Sequence, residues 1–294
     1  MRCWVFVLPL LVVGTAHAQE RHLGFRLNPS AAIRIHNLIG TTTVIGWDRD
    51  SADIVARVPA GGGHLYAGGI GDAAKIGVEG QDPARMPGSD LTVRVPADAR
   101  VWIKSASAAV RVESMLGEVE AVAVTGQLSL AGSPRVALLE TIDGNVSVEG
   151  IAGVLRVRAG SGTVTIDDPK GQRGDVSVTS VQGGITLAAP ALLTARLETV
   201  SGDIEVRGHL SGSGRLDLET HGGDVHLVLA PPVDARLELT SVAGEVVTAL
   251  DGRETRHGAG TLSLLVGAAG KKGGAQVTAR TFKGTIRVDS NASR

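Results

Sequence analysis

Aromatic residues make up only 2% of the 294-residue chain, with one tyrosine and three tryptophans among them. Sugar-binding proteins stack rings on aromatic platforms, and here Trp47, Trp102 and Tyr66 are almost the whole supply. There is one cysteine, Cys3, just ahead of the first apolar run, so disulfides and thiol chemistry are excluded from the rest. A net charge of −1 argues against nucleic acid or an anionic membrane as partner, since both need a basic surface. After the first apolar run, no stretch approaches the 20 or so apolar residues of a membrane-crossing helix. No sustained helical period occurs. H-E-x-x-H and G-x-S-x-G are also missing, and residues 267–274 lack P-loop spacing and its Ser/Thr.

Glycine, by contrast, is abundant at 40 residues, roughly twice its usual share of about 7%. Together with Val, Leu, Ile and Thr it gives the composition of short strands joined by tight corners. Arg2, the apolar residues 4–13 and Ala16-His17-Ala18 read as an export leader, residues 1–18, cleaved before Gln19. No cysteine stands at the cleavage position, so a lipid anchor is not expected. A periplasmic, extracellular or cell-surface location follows from that reading.

The rest is organised around one recurring sentence, clearest as T-V-S-G-D-I-E-V over residues 199–206. Its corner position is Ala108, then Gly126, Gly144, Gly162, Gly183, Gly202, Gly223, Gly244 and Gly284. Successive spacings are 18, 18, 18, 21, 19, 21, 21 and 40 residues. A fixed period of about 20 residues marks a repeat architecture in which each unit is one layer of a stack. Counting from the corner, the positions seven and five before it and two after it are apolar in every copy, for example Ala195, Leu197 and Ile204. Alternation puts them on one face of each strand. Three before the corner the residue is always small, as in Ser105, Thr199, Thr220 and Ser241, and its hydroxyl can bond the turn backbone. The corner glycine is expected to supply a positive φ. Hairpins are the competing geometry, but matching columns favour parallel in-register stacking at about 4.8 Å. The expected fold is all-β, a single-stranded parallel β-solenoid with an N-terminal β cap.

Residues 19–95 are read as that cap with a Gly-rich loop, 96–290 as the repeats and 291–294 as a polar tail. Within the cap, N-L-I-G-T-T-T-V-I-G-W from Asn37 is a looser first copy, and Trp47 is expected to plug the open end, because an uncovered end invites edge-to-edge aggregation. Residues 59–90 look like a mobile or functional loop with one short strand at 75–79. Residues 261–266 read as a degenerate unit between Gly-Lys-rich connectors.

The order R-I-H-N-L-I-G, G-W-D, D-L-T-V-R-V-P, repeated T-x-S-G-D-I-x-V and a closing T-F-K-G-T-I-R-V resembles the bacterial putative-adhesin family of secreted β-strand-repeat proteins, a domain of unknown function. The resemblance spans nearly the whole exported chain. It implies a solenoid fold and residence in the envelope, and it carries over no catalytic residue.

Candidate chemistry is sparse. Asp203, Asp224 and Glu245 follow the corner in three consecutive copies, and stacked at about 5 Å they would offer oxygens to Ca²⁺. Asp beside Gly is also what a turn prefers without any metal, and no cofactor is expected. Outward columns pair Glu140 with Arg158 and Arg196 with Asp217 across strands, the pattern of a solvated face. A Ser129, Ser147, Thr165, Thr186 column is broken by Glu205 and His226. His221 and His226 straddle one corner and are expected to point apart. The reading is non-enzymatic: contact with unidentified envelope or cell-surface components, as an adhesin or scaffold. Its rival is a periplasmic polysaccharide-binding or polysaccharide-acting protein.

Overall fold

The structure is a computed structural model, and it describes residues 19–80, 82, 84–151, 153–171, 174–257, 260–267 and 274–290. The leader, the tail and most of the second Gly-Lys-rich connector lie outside the described residues. Among the described residues there is no helix, hence none long and apolar enough to cross a membrane. The strands join in one 23-stranded sheet.

Each repeat contributes one strand before its corner and a shorter one after it. The alternation read in the sequence is realised as burial alternation: Glu118–Thr125 and Val136–Asp143 each bury every second residue up to the corner. Before the corner, Val119, Ala137, Leu155, Val176, Ala195 and Leu216 lie side by side in parallel register. After the corner, Val110, Leu128, Val146, Val164, Ile185, Ile204 and Val225 do the same. Leu197 and Leu218 are register partners and both are 0% exposed. Two rows of parallel strands thus share one apolar interior, in which like side chains meet like along the stack.

The sheet is nonetheless mixed, and the departures sit at its two ends. At the N-terminal end, residues 19–26 run antiparallel to Ser51–Val58, which runs antiparallel to residues 90–94. Residues 32–36 and Gly40–Trp47 already form a regular unit, paired in parallel with Arg100–Ser105 and Ala109–Glu113. The region expected as a loop is strand over His64–Glu79, doubling back at the positive-φ Gly71 so that Gly63 meets Glu79 and Gly69 meets Ala73, and its residues 73–77 pair in parallel with 32–36. Glycines disguised it, since they blur alternation without forbidding extended backbone. Trp47 does not plug an end, because its strand is paired on both edges. Its indole N–H donates to the Ser51 carbonyl at 2.9 Å, and the Arg49 guanidinium lies 5.0 Å from the ring centre. Phe25, Val58, Leu65 and Ala67 pack against the core at this end instead.

At the C-terminal end the units do not stack in chain order. The final pair of strands, Ala275–Thr281 and Ile286–Ser290, lies between the unit of residues 215–229 and the unit of Ala235–Ser241 and Val246–Thr248. Thr261–Val266 is no degenerate unit. It runs antiparallel along the outer edge of Ala235–Ser241, with Arg253–Arg256 antiparallel beyond it. Every unit presents the same apolar columns, so the interior accepts any order that the connections can reach.

Candidate functional site

The corner is built from a hydroxyl, a glycine and the carbonyl of the unit below. Thr220 Oγ1 accepts from the Gly223 N–H at 3.1 Å and donates to the Gly202 carbonyl at 2.9 Å. Thr281 Oγ1 repeats this with Gly284 N and Gly223 O, and Ser241 Oγ with Gly244 N and Gly284 O. One side chain therefore closes its own turn and ties it to the neighbouring unit. The glycines are there chiefly for closeness. In this column only Gly126, Gly162 and Gly183 have positive φ, at 131°, 97° and 140°. A Cβ on Gly144, Gly202, Gly223 or Gly284 would stand 1.9–2.0 Å from the carbonyl oxygen of the stacked glycine. The expectation that positive φ is the common requirement is thus corrected: the shared requirement is room for the next backbone.

That arrangement decides the fate of the acidic column. Asp203 Oδ1 accepts the Asp224 N–H at 2.8 Å, and Asp224 Oδ1 accepts the Thr285 N–H at 2.7 Å. Asn145 does the same for Thr163 at 2.9 Å. The carboxylates serve as backbone acceptors along the stack. Glu245 does not stand on Asp224, because the final unit intervenes. No group of three or more His, Cys, Asp or Glu suited to a metal occurs among the described residues.

The outward charges pair as solvated neighbours. Arg158 donates to Glu140 at 3.0 Å, and Arg196 lies 3.8 Å from Asp217 while bonding Glu198 more closely. His221 stacks flat on Phe282, centroids 4.9 Å apart, whereas His226 meets Asp289 at 2.8 Å on the other row. The two histidines do point to different neighbourhoods.

What the sequence reading passed over is the position two before the corner. In spatial order it is Ala106, Val124, Ile142, Gly160, Val181, Val200, His221, Phe282 and Val242. Of the ten exposed large apolar side chains among the described residues, six belong to this one column, with Ile142 and Val242 each 65% exposed. Scattered singles would be ordinary surface, but six gathered along one column, interrupted only by Gly160 and His221, are the pattern of a contact surface. Backbone bonds such as Gly222 N to Val200 O, Lys283 N to His221 O and Ala243 N to Phe282 O keep the ridge in step. Beside it runs a groove of about 660 Å³, floored by Thr179, Glu198, Glu219, Arg280 and Thr240 and walled by Val200, His221, Phe282 and Val242. Tabulating the column would have revealed it, since it breaks the in-out parity of the strand yet stays apolar or small in all copies but one.

The sequence profile of Toastrack DUF4097 matches residues 88–289, more than half of the chain. A solved structure described as a putative adhesin from Bacteroides fragilis is 10% identical with a TM-score of 0.42, covering 92% of this chain and 97% of that one. Another, a putative cell adhesion protein from Clostridium sporogenes, is 10% identical with a TM-score of 0.28, covering 93% of this chain and 100% of that one. No curated protein matches.

Proposed function

The chain belongs to the Toastrack DUF4097 family, and from that premise we propose a non-enzymatic role in contact between envelope or cell-surface components, as an adhesin or scaffold. On this reading residues 1–18 direct export, residues 19–95 cap the array and add its first unit at 32–47, and residues 96–290 act as a stiff β-solenoid, parallel apart from the antiparallel edge at 253–266, that presents one long edge. The observation that carries the proposal is the exposed apolar ridge from Val124 to Val242. Burying such a line against a partner removes apolar area from water at about 25 cal/mol per Å². The rigid register lets a partner with a matching stripe engage several units at once, so weak contacts add.

Binding of the purified chain to whole cells and to isolated envelopes tests this. Ile142→Asp, Val200→Asp and Val242→Asp combined are expected to reduce saturable binding severalfold while the melting temperature holds, because these side chains are exposed. Unchanged binding by the triple variant overturns the ridge, and turnover of a uronate polymer by the wild type overturns the non-enzymatic role.

A further inference from the structure

Away from the ridge, at the N-terminal end of the strand row that precedes the corners, the surface changes character. Lys75, Arg34, Trp102 and Glu120 lie in one row across four neighbouring strands, each the register partner of the next. Lys104 stands two residues beyond Trp102 on the same outward face. At about 4.8 Å per strand the row spans about 14 Å. Tyr66 reaches it from the arm that folds back at Gly71, which lays residues 63–69 against 73–79. A Cβ on Gly77 would come within 2.7 Å of the Tyr66 hydroxyl, so glycine there leaves the ring its place. These side chains line a hollow of about 560 Å³, inside the range of about 300–1,000 Å³ typical of ligand pockets. A second hollow of about 370 Å³ is lined by the same Arg34, Lys75 and Trp102, and the two together are called the trough.

What distinguishes this patch is that its cations gather with aromatic rings in one hollow. Many outward arginines are matched by carboxylates, as for Arg57, Arg94, Arg111, Arg135, Arg158 and Arg196. Arg34, Lys75 and Lys104 enter no ion pair among the described residues, and Glu120 is the one carboxylate lining the hollow with them. Three unmatched cations around two of the chain's few aromatic rings suit a ligand with anionic groups on a ring that also has an apolar face.

We infer that this trough binds an acidic oligosaccharide, with Trp102 and Tyr66 as stacking platforms and Arg34, Lys75 and Lys104 as the anion-reading groups. The arginine fork engages a carboxylate or sulfate in two parallel hydrogen bonds, the lysines act as point charges, and the rings cover the C–H face of the sugar. Single-stranded nucleic acid combines charge and stacking in another way: it needs a basic track that follows a long backbone. Here only three cations, Arg34, Lys75 and Lys104, line the hollow, on a chain of net charge −1. The site shares no residue with the ridge, so it stands or falls separately from the proposed contact role.

The test is titration of the intact chain with four probes, read by tryptophan fluorescence and calorimetry. They are an oligogalacturonate, a sulfated glycosaminoglycan fragment, a neutral galactan fragment of equal length and an oligothymidylate. Saturable binding of one or both acidic sugars is expected, weakening as salt rises, and which one binds identifies the anionic group. Trp102→Ala is expected to weaken it roughly tenfold. Lys75→Gln and Lys104→Gln, both at exposed positions where folding is not at stake, should each weaken binding and flatten the salt dependence. The ridge triple variant should bind the acidic sugar as the wild type does. Failure of both acidic probes at millimolar concentration overturns the inference. So does equal affinity for neutral galactan, tighter binding of the oligothymidylate, or indifference to both lysine substitutions.

Discussion

Replacing Gly202 by alanine isolates the claim that the corner column is set by the approach of one backbone to the next. Gly202 is buried and does not use positive φ. The new Cβ would stand 1.9 Å from the Gly183 carbonyl oxygen, 2.3 Å from its carbon and 2.9 Å from Gly184 N, all backbone atoms with no flexible end to move aside. Reaching even a short C–H···O contact of about 3.3 Å requires the corner to open by about 1.4 Å. That opening breaks the Ser201 N–H bond to the Val181 carbonyl, now 3.1 Å, and the Thr199 hydroxyl bond to the Gly183 carbonyl, now 3.2 Å. Two hydrogen bonds at about 1 kcal/mol each and overpacking of about 1–3 kcal/mol give a loss of roughly 3–5 kcal/mol, a large share of the 5–15 kcal/mol typical of a domain. Gly184→Ala is the matched control, one turn position away. Its Cβ would meet nothing nearer than the Asp203 carbonyl oxygen at 3.5 Å, so no loss, or a gain of up to about 1 kcal/mol, is expected. Urea unfolding followed by far-ultraviolet circular dichroism reads both, with coincidence of the tryptophan signal as the check on two-state behaviour. Equal midpoints for the two variants refute the reasoning.

Asp224→Ala removes the acceptor of the Thr285 N–H and should cost about 1 kcal/mol, whereas Glu245→Ala, on an exposed side chain, should stay within about 0.5 kcal/mol; calcium or a chelator should shift the melting temperature of neither. Tyr66 is the only tyrosine, so phenolate absorbance reports on one group. Burial, then the charge of Glu79, pushes its pKa above the ordinary value of 10.0, so its absorbance midpoint should lie above that of free tyrosine. The sign for stability follows: the folded chain holds the proton longer than the unfolded one, so this contribution is complete below about pH 10 and fades as pH rises toward the folded pKa. A chain ending at residue 257 loses the strand that separates residues 215–220 from Ala235–Ser241. Its urea m-value should fall and proteases should cut within residues 230–250; wild-type protection there would mean that the unit re-docks on its neighbour.

The interior of the stack was legible because parallel register turns a spatial neighbour into a residue one period away. Leu197 and Leu218 could be matched on paper, and they are partners in the sheet. Identity between units also hid their order. Gly284 resembles Gly244 as much as Gly223, and nothing local says that it rests on Gly223 and carries Gly244. Of His64–Glu79 only the strand at 75–79 was expected, because Gly68, Gly69, Gly71 and Gly77 dilute the alternation of the whole. The N-terminal trough was invisible for a different reason: parallel pairing brings Arg34 and Lys75 beside Trp102, a fold-back brings Tyr66 onto Gly77, and no motif spans such distances along the chain. The ridge was visible in principle, since its column is as regular as the buried ones.

The placement of residues 275–290 has a mechanical consequence. A terminal strand on a free edge comes away under tension one bond at a time, like a zip. These residues are clasped along both sides, so a pull on the C-terminal end must shear two ladders at once and draw a strand out from the middle of the fabric. The molecule is anchored at that end by the manner in which the chain is tucked in.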